Sequence, residues 1–223
     1  MNIRENASEK ISLIQMCGSK KVSVQMYGPH SLNDDGSIMP FSEQMAIVSH
    51  YLHNRGCKFA KLYESKAIGL IEDIYRVYNK PQKSDVLSEE SVQYSLFSEL
   101  FSVPFLPVDK PKFTFIDLFA GIGGFRLAMQ NHGGKCVFSS EWDDAAKQTY
   151  FENYGEVPFG DITKPEIKEL IPEKFDVLCA GFPCQPFSYS GQKLGFKDKT
   201  KGTLFFDVCE ILKERQPQAF FLE

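Results

Sequence analysis

A chain of 223 residues, 43% hydrophobic and 24% charged, is long enough for one large globular domain or two small ones. Its formal charge of −4 argues against a protein that coats nucleic acid nonspecifically, although local basic patches can still bind it. No run approaches the ~20 apolar residues that span a bilayer, and the six scattered cysteines form no CxxC pair. A cytosolic protein with no membrane partner, no disulfide framework and no zinc site is expected.

Residues 1–104 predict a small, mostly helical N-terminal domain. Ser42 to His53 and Lys58 to Tyr78 carry apolar residues at helical spacing, with Ile68, Ile71, Ile74, Tyr75 and Tyr78 as an example. Ser88 is placed to cap a third helix running toward Phe101. Val22, Val24 and Met26 alternate with polar residues as in one short strand, and Asn33-Asp34-Asp35-Gly36 then forces a loop. No helix-turn-helix turn and no basic recognition helix stand out. His50, His53 and Cys57 share a helical face at i, i+3 and i+7, but no carboxylate or CxxC accompanies them, so core or surface histidines are expected rather than metal ligands. Ser102 to Lys112 holds Pro104, Pro107 and Pro111, and residues 105–112 read as a semi-rigid linker.

From Phe113 a βα rhythm begins. Phe113 to Leu118 reads as a strand, followed by a helix from Gly123 or Gly124 to about His132, stopped by Gly133-Gly134. Cys136 to Ser139 makes the next strand, and Asp143 caps or opens a helix to Tyr154. A short strand ending near Gly160 and a Pro-started helix from Pro165 toward Leu170 come next. Phe175 to Ala180 is a strand, Thr203 caps a helix from Leu204 to Arg215, and Gln218 to Leu222 makes the last strand. Strands alternating with helices predict an α/β fold with a parallel, doubly wound sheet over residues 113–223.

Several residues carry chemistry within that frame. Ala120-Gly121-Ile122-Gly123-Gly124 is a glycine turn between strand and helix, where backbone amides approach a ligand closely. Arg126 stands where a dinucleotide fingerprint wants its third glycine, which counts against a nicotinamide cofactor. Glu141, at the end of the second strand, is positioned to take ribose hydroxyls. Trp142, the one tryptophan, offers a face for stacking on adenine, and Asp161 an acceptor for the adenine amine. Each has a plainer reading alone: a surface acid, a core ring, a turn residue. Gly181-Phe182-Pro183-Cys184-Gln185-Pro186-Phe187-Ser188 follows a buried strand, and its prolines hold Cys184 on a stiff, extended corner. That corner suits a nucleophile, and equally a small buried hydrophobe packed under a turn.

Taken in order, Phe115 to Arg126, Ser140-Glu141-Trp142-Asp143, Gly160-Asp161-Ile162-Thr163, the Cys184 stretch and Phe220-Phe221-Leu222-Glu223 resemble the motifs of the DNA cytosine-5 methyltransferases of bacterial restriction-modification systems. The resemblance covers residues 113–223 and implies a Rossmann-like, class I S-adenosylmethionine-dependent sheet. It assigns Phe119, Glu141, Trp142, Asp161, Ile162, Pro183 and Leu204, with the turn Ala120, Gly121, Ile122, Gly123 and Gly124, to the S-adenosylmethionine pocket. It makes Cys184 the nucleophile on a flipped-out cytosine of double-stranded DNA, and Glu223 the glutamate that partners N3 from a buried strand end. The Gly- and Lys-rich stretch from Ser188 to Gly202 becomes a mobile lid that closes on DNA, with Gln185, Ser188, Ser190, Lys193 and Lys197 as contacts. The sequence stops at the first residue of the Glu-Asn-Val motif, with the target-recognition region still to come. The N-terminal part of a longer enzyme, or half of a split enzyme needing a second chain, is therefore expected. The competing expectations are a catalytically idle module that binds cofactor or DNA, and, more distantly, a tRNA-methylating relative.

Overall fold

Over Phe113–Leu118, Gly134–Ser140 and Val177–Ala180 successive residues are largely buried whichever way they point, because both faces of the sheet are covered there. The computed structural model describes residues 29–33, 35–78, 98–182 and 202–223. Four strands, β1 (Phe113–Leu118), β2 (Gly134–Ser140), β3 (Val177–Ala180) and β4 (Ala219–Leu222), form one all-parallel sheet in the order β2-β1-β3-β4. The chain moves outward from β1 to β2, then returns to the other side of β1 for β3. The strand order therefore reverses between β1 and β3, and in open α/β sheets ligands bind outside the carboxyl ends of strands at such a point.

Helices α1 (Phe41–His53) and α2 (Glu64–Tyr78) precede the sheet, and α3 (Gly124–Asn131), α4 (Asp144–Tyr154), the single turn α5 (Pro165–Lys168) and α6 (Gly202–Arg215) connect its strands. Asp143 is the N-cap of α4, its side chain accepting from the Ala146 amide at 2.8 Å, and the left-handed Gly155 ends that helix. Gly155 has to be glycine twice over: its φ is +66°, and a Cβ would lie 1.9 Å from the Leu100 carbonyl oxygen.

The N-terminal helices share a core with the sheet. Met45 and Val48 of α1 and Leu70 and Ile74 of α2 belong to the same buried cluster as Ile116, Leu118, Phe138 and Leu178. The opposite face is closed by α3, whose Phe125 and Met129 pack on Phe115, Cys136 and Cys179. The Pro-rich segment over 105–112 is fastened rather than free-standing. The Phe105 amide donates to the Asn153 carbonyl, Gln130 donates to Leu106, and the Lys112 amide donates to Gly133.

Some elements differ from the sequence expectation. The strand expected to end near Gly160 shrinks to a single parallel bridge between Ser140 and Phe159, because Pro158 has no amide to donate to a ladder. The strand expected from Phe175 starts at Val177; the Asp176 side chain is instead committed to the amide and hydroxyl of Thr114. The helix expected over Lys58 to Tyr78 breaks at Tyr63 into a 3-10 turn (Lys58–Leu62) and α2. α6 begins at Gly202, so Thr203 lies inside it and is not its cap. Of the third N-terminal helix the described part is the 3-10 turn Ser98–Phe101; Ser88 and the strand around Val24 lie outside the described residues. Among the described residues no helix is long and apolar enough to cross a membrane.

Candidate cofactor and active site

The turn after β1 is held in an unusual backbone state. Phe119, Gly121 and Gly123 have φ of +54°, +54° and +92°, and for Phe119 that left-handed conformation carries strain of the sort that gathers at functional sites. The Ala120 amide donates to the Ser140 carbonyl at 2.9 Å, pinning the turn to the end of β2. Gly123 leaves no room for a side chain: a Cβ would sit 2.2 Å from the Tyr154 ring, whose hydroxyl donates to the Gly123 carbonyl at 2.7 Å. At Gly121 and Gly124, by contrast, a Cβ would meet nothing within 4 Å, so the outer side of the turn is open. Ile122 is exposed there, and Ala120 is buried.

Glu141 stands behind this turn. One carboxylate oxygen accepts from the Gly121 amide at 2.8 Å, and the other accepts from the Trp142 and Asp143 amides at 2.8 Å each. The carboxylate is thus fixed against the glycine turn, with lone pairs left for a ligand hydroxyl. Trp142 is 77% exposed, which excludes the core reading and leaves its ring free to be covered by an aromatic ligand. Asp161 closes a local turn, accepting from the amide and hydroxyl of Thr163. The Ile162 side chain points into the main core, so the structure does not bring it to the open face of the turn. Leu204 is half-buried at the start of α6, where Phe205 touches Phe182 and Phe182 in turn touches Phe119.

Glu223 follows the last described strand, β4. β4 is the edge of the described sheet, all four of its residues are exposed, and Glu223 is exposed with them rather than buried. Its amide nevertheless donates to the Ala180 carbonyl at 3.1 Å, and Leu222 pairs with Ala180. The register therefore sets Glu223 beside Gly181, where the chain leaves β3 toward Cys184. Pro183, Cys184, Gln185, Ser188, Ser190, Lys193 and Lys197 lie outside the described residues. Cys136 and Cys179 are no substitutes for that nucleophile, since burial pushes both thiols up, Cys179 to about 12.

Sequence reading missed the buried polar cluster behind the turn. Arg126 and Glu156 are almost wholly buried and form an ion pair at 2.5 Å, with the guanidinium lying over the Tyr150 and Tyr154 rings. Burial opposes the charge on Glu156, but the Arg126 guanidinium outweighs it and holds the carboxyl down to about 2. Beneath α3, Asp117 faces the Arg126 amide without a hydrogen bond of full geometry, and burial pushes its carboxyl up to about 8. The available signal was an arginine inside a helix that otherwise turns apolar residues inward. Among the described residues no cluster of His, Cys, Asp or Glu is arranged to hold a metal. Two surface clefts, of about 500 Å³ along α6 and about 610 Å³ at the amino ends of β1 and β3, lie away from the glycine turn.

A parallel sheet with its order reversed at β1/β3, a strained glycine turn there and an acid on the neighbouring strand define a Rossmann-like fold of the S-adenosylmethionine-dependent methyltransferase class. Residues 113–223, about half of the chain, match the model of the C-5 cytosine-specific DNA methylases and form a domain of that family. It is 64% identical over 139 residues to the type II methyltransferase M.HpaII of Haemophilus parainfluenzae, covering 62% of this chain and 37% of that protein. It is 55% identical over 109 residues to M.HhaI of Haemophilus parahaemolyticus (49% of this chain, 32% of that protein), and 55% over 111 residues to M.MspI of a Moraxella species (50% and 26%). The chain thus spans about a third of the length of these curated relatives.

Proposed function

We propose that the full-length protein transfers a methyl group from S-adenosylmethionine to C5 of a flipped-out cytosine in double-stranded DNA, as the methylating arm of a restriction-modification system. The observation that carries this is the alignment of four functions on one sheet edge. The glycine turn, Glu141-Trp142, the exit toward Cys184 and Glu223 follow the carboxyl ends of β1, β2, β3 and β4 in turn. The residues present fit the cofactor: an open glycine turn, a carboxylate fixed behind it and an exposed indole beside it. When bound, S-adenosylmethionine supplies an electrophilic methyl group; Glu141 would hold the ribose, Trp142 the adenine face and Asp161 the adenine amine.

Cytosine C5 is too weak a nucleophile unaided. A Cys184 thiolate adding to C6 forms a carbon–sulfur bond and pushes an electron pair onto C5, and the N3 position then needs a hydrogen-bond donor. The family resemblance gives this role to Glu223, whose carboxyl would donate to N3 in its protonated form; its amide bond to Ala180, beside the start of the Cys184 stretch, supports the reading. After C5 is alkylated, a water molecule acting as base takes the C5 proton, and the electron pair left behind expels the thiolate and restores the ring. None of this geometry exists inside a stacked duplex, so the base must be flipped out. Gln185, Ser188, Ser190, Lys193 and Lys197 are the proposed DNA contacts, the lysines through phosphates with salt-sensitive affinity. The test is methyl transfer from radiolabelled cofactor to cytosine-containing duplex by the full-length protein and its Cys184→Ser variant. The reading requires loss of transfer with cofactor binding kept; undiminished transfer by the variant refutes it.

A further inference from the structure

One face of α1 grips the segment that supports the cofactor turn from behind, and none of α1 lies within the 113–223 span that defines the family. Ser49 and His53, at i and i+4, bond residues 157 and 155, and His50 between them bonds Ser139 near the end of β2. The Val157 amide donates to the Ser49 hydroxyl at 3.0 Å, and His53 Nε2 donates to the Gly155 carbonyl at 2.9 Å. His50 Nδ1 donates to the Ala46 carbonyl at 2.8 Å, so its Nε2 is free to accept from the Ser139 amide at 3.2 Å. That amide lies on the outer edge of β2, where no full strand supplies an acceptor. His50 Nε2 also lies 3.3 Å from Glu156, but a nitrogen that accepts an amide proton cannot donate to a carboxylate, and burial keeps this imidazole neutral. The contact is packing beside the Arg126–Glu156 pair rather than an ion pair.

The gripped segment carries its effect both ways along the chain. Immediately before it, Tyr154 donates to the Gly123 carbonyl and fills the space that forces glycine there. Immediately after it, the Phe159 carbonyl accepts the Glu141 amide at 2.8 Å, two residues before Asp161. Residues 155–157 therefore stand behind the glycine turn on one side and behind the cofactor acid on the other.

We infer that the Ser49–His50–His53 face of α1 is a positioning element of the cofactor site: Ser49 and His53 hold residues 155–157 and His50 holds the Ser139 edge of β2, so that Tyr154 sets the Gly123 turn and Phe159 sets Glu141. This rests on the reading of the glycine turn and Glu141 as the S-adenosylmethionine site. α1 touches no reacting atom; it acts through the segment it holds. The N-terminal helical layer is by this account part of the methyltransferase machinery and not an appendage to it.

The test uses the full-length protein and two substitutions at one position. His53→Met keeps bulk and removes the donor to Gly155; His53→Gln restores a donor near the place of Nε2. Hydrogen exchange of the 119–124 amides is read in the cofactor-free protein, and KM for S-adenosylmethionine, KM for DNA and kcat are read in turnover. The inference expects faster exchange at 119–124 in His53→Met, with KM for S-adenosylmethionine raised about tenfold and KM for DNA unchanged, as a lost buried hydrogen bond transmitted to the turn would give. His53→Gln should return both readouts toward wild type. Should His53→Met fail to fold, Ser49→Ala, which orphans only the Val157 amide, is read in the same way. A lowered melting temperature with unchanged exchange at 119–124 and unchanged cofactor KM would make α1 merely structural and overturn the inference. Wild-type protein that binds no S-adenosylmethionine would overturn the site reading and this inference together, and calorimetry on wild type alone reports that outcome.

Discussion

Replacing Glu156 by Gln isolates the charge of the buried ion pair, because glutamine keeps the volume and can still accept from Arg126 and Ser139. Both partners are nearly or wholly buried, at 1% and 0% exposure, so solvent cannot take over from the lost carboxylate. The displacement of the Glu156 carboxyl from its ordinary 4.5 to about 2 corresponds to roughly 3 kcal/mol. Breaking a buried pair by removing one partner costs about 3–5 kcal/mol, so the two routes agree. Urea unfolding at neutral pH should show Glu156→Gln destabilised by about 3 kcal/mol with an unchanged denaturant slope, and a melting temperature lower by about 6–12 °C. The acid limb should change as well. A carboxyl depressed in the folded state stabilises fully above its unfolded value of 4.5 and loses that contribution as pH falls toward about 2. Wild type should therefore converge on the variant across that window. Removing both charges, as Arg126→Met with Glu156→Leu, should cost much less than the single change. A loss below about 1 kcal/mol for Glu156→Gln, the worth of an exposed pair, would refute the reasoning.

Two further predictions follow from the same region. Under the proposed function, in which the exposed Trp142 indole stacks on adenine, Trp142→Ala should weaken S-adenosylmethionine binding about tenfold by calorimetry; unchanged affinity would remove it from the pocket. Asp117→Asn should become increasingly stabilising relative to wild type as pH rises from about 4 to about 8. Burial raises the native carboxyl to about 8, so across that interval the folded state holds a proton that the unfolded chain has released. Urea midpoints of the two proteins at pH 5 and pH 8 check this, and parallel pH profiles would contradict it.

The βα alternation from Phe113 was legible because each strand is a short apolar run and each helix carries its own stop or start signal. Asp143 before α4, Pro165 opening α5 and the glycines around the β1 turn are local marks of this sort, and a local mark needs no tertiary information. What escaped depends on contacts between distant residues. The helical period of α1 was visible, but not that Ser49, His50 and His53 would reach Ser139, Gly155 and Val157 across about a hundred residues of sequence. His50 and His53 are buried and bonded to Ala46, Ser139 and Gly155, yet nothing local reveals that they serve the outer edge of β2 and the end of α4. Arg126 looked like a failed fingerprint glycine, when its role is to balance Glu156 in the core. Around Phe159 the apolar pattern suggested a strand, and one proline reduced it to a single bridge. At the proposed site, residue type and spacing single out the glycine turn and Glu141 as candidates. The burial of Ile162 depends on packing and carries no local mark.

The most direct measurement of the central claim is the mass of the full-length protein after incubation with S-adenosylmethionine and a duplex whose target cytosines carry fluorine at C5. Fluorine cannot leave as the C5 proton does, so elimination is blocked and the thioether persists. The account predicts a covalent protein–DNA species that maps to Cys184 on digestion and is absent in Cys184→Ser. Intact binding of cofactor and DNA with no covalent species would contradict it and leave a binding protein in the place of an enzyme.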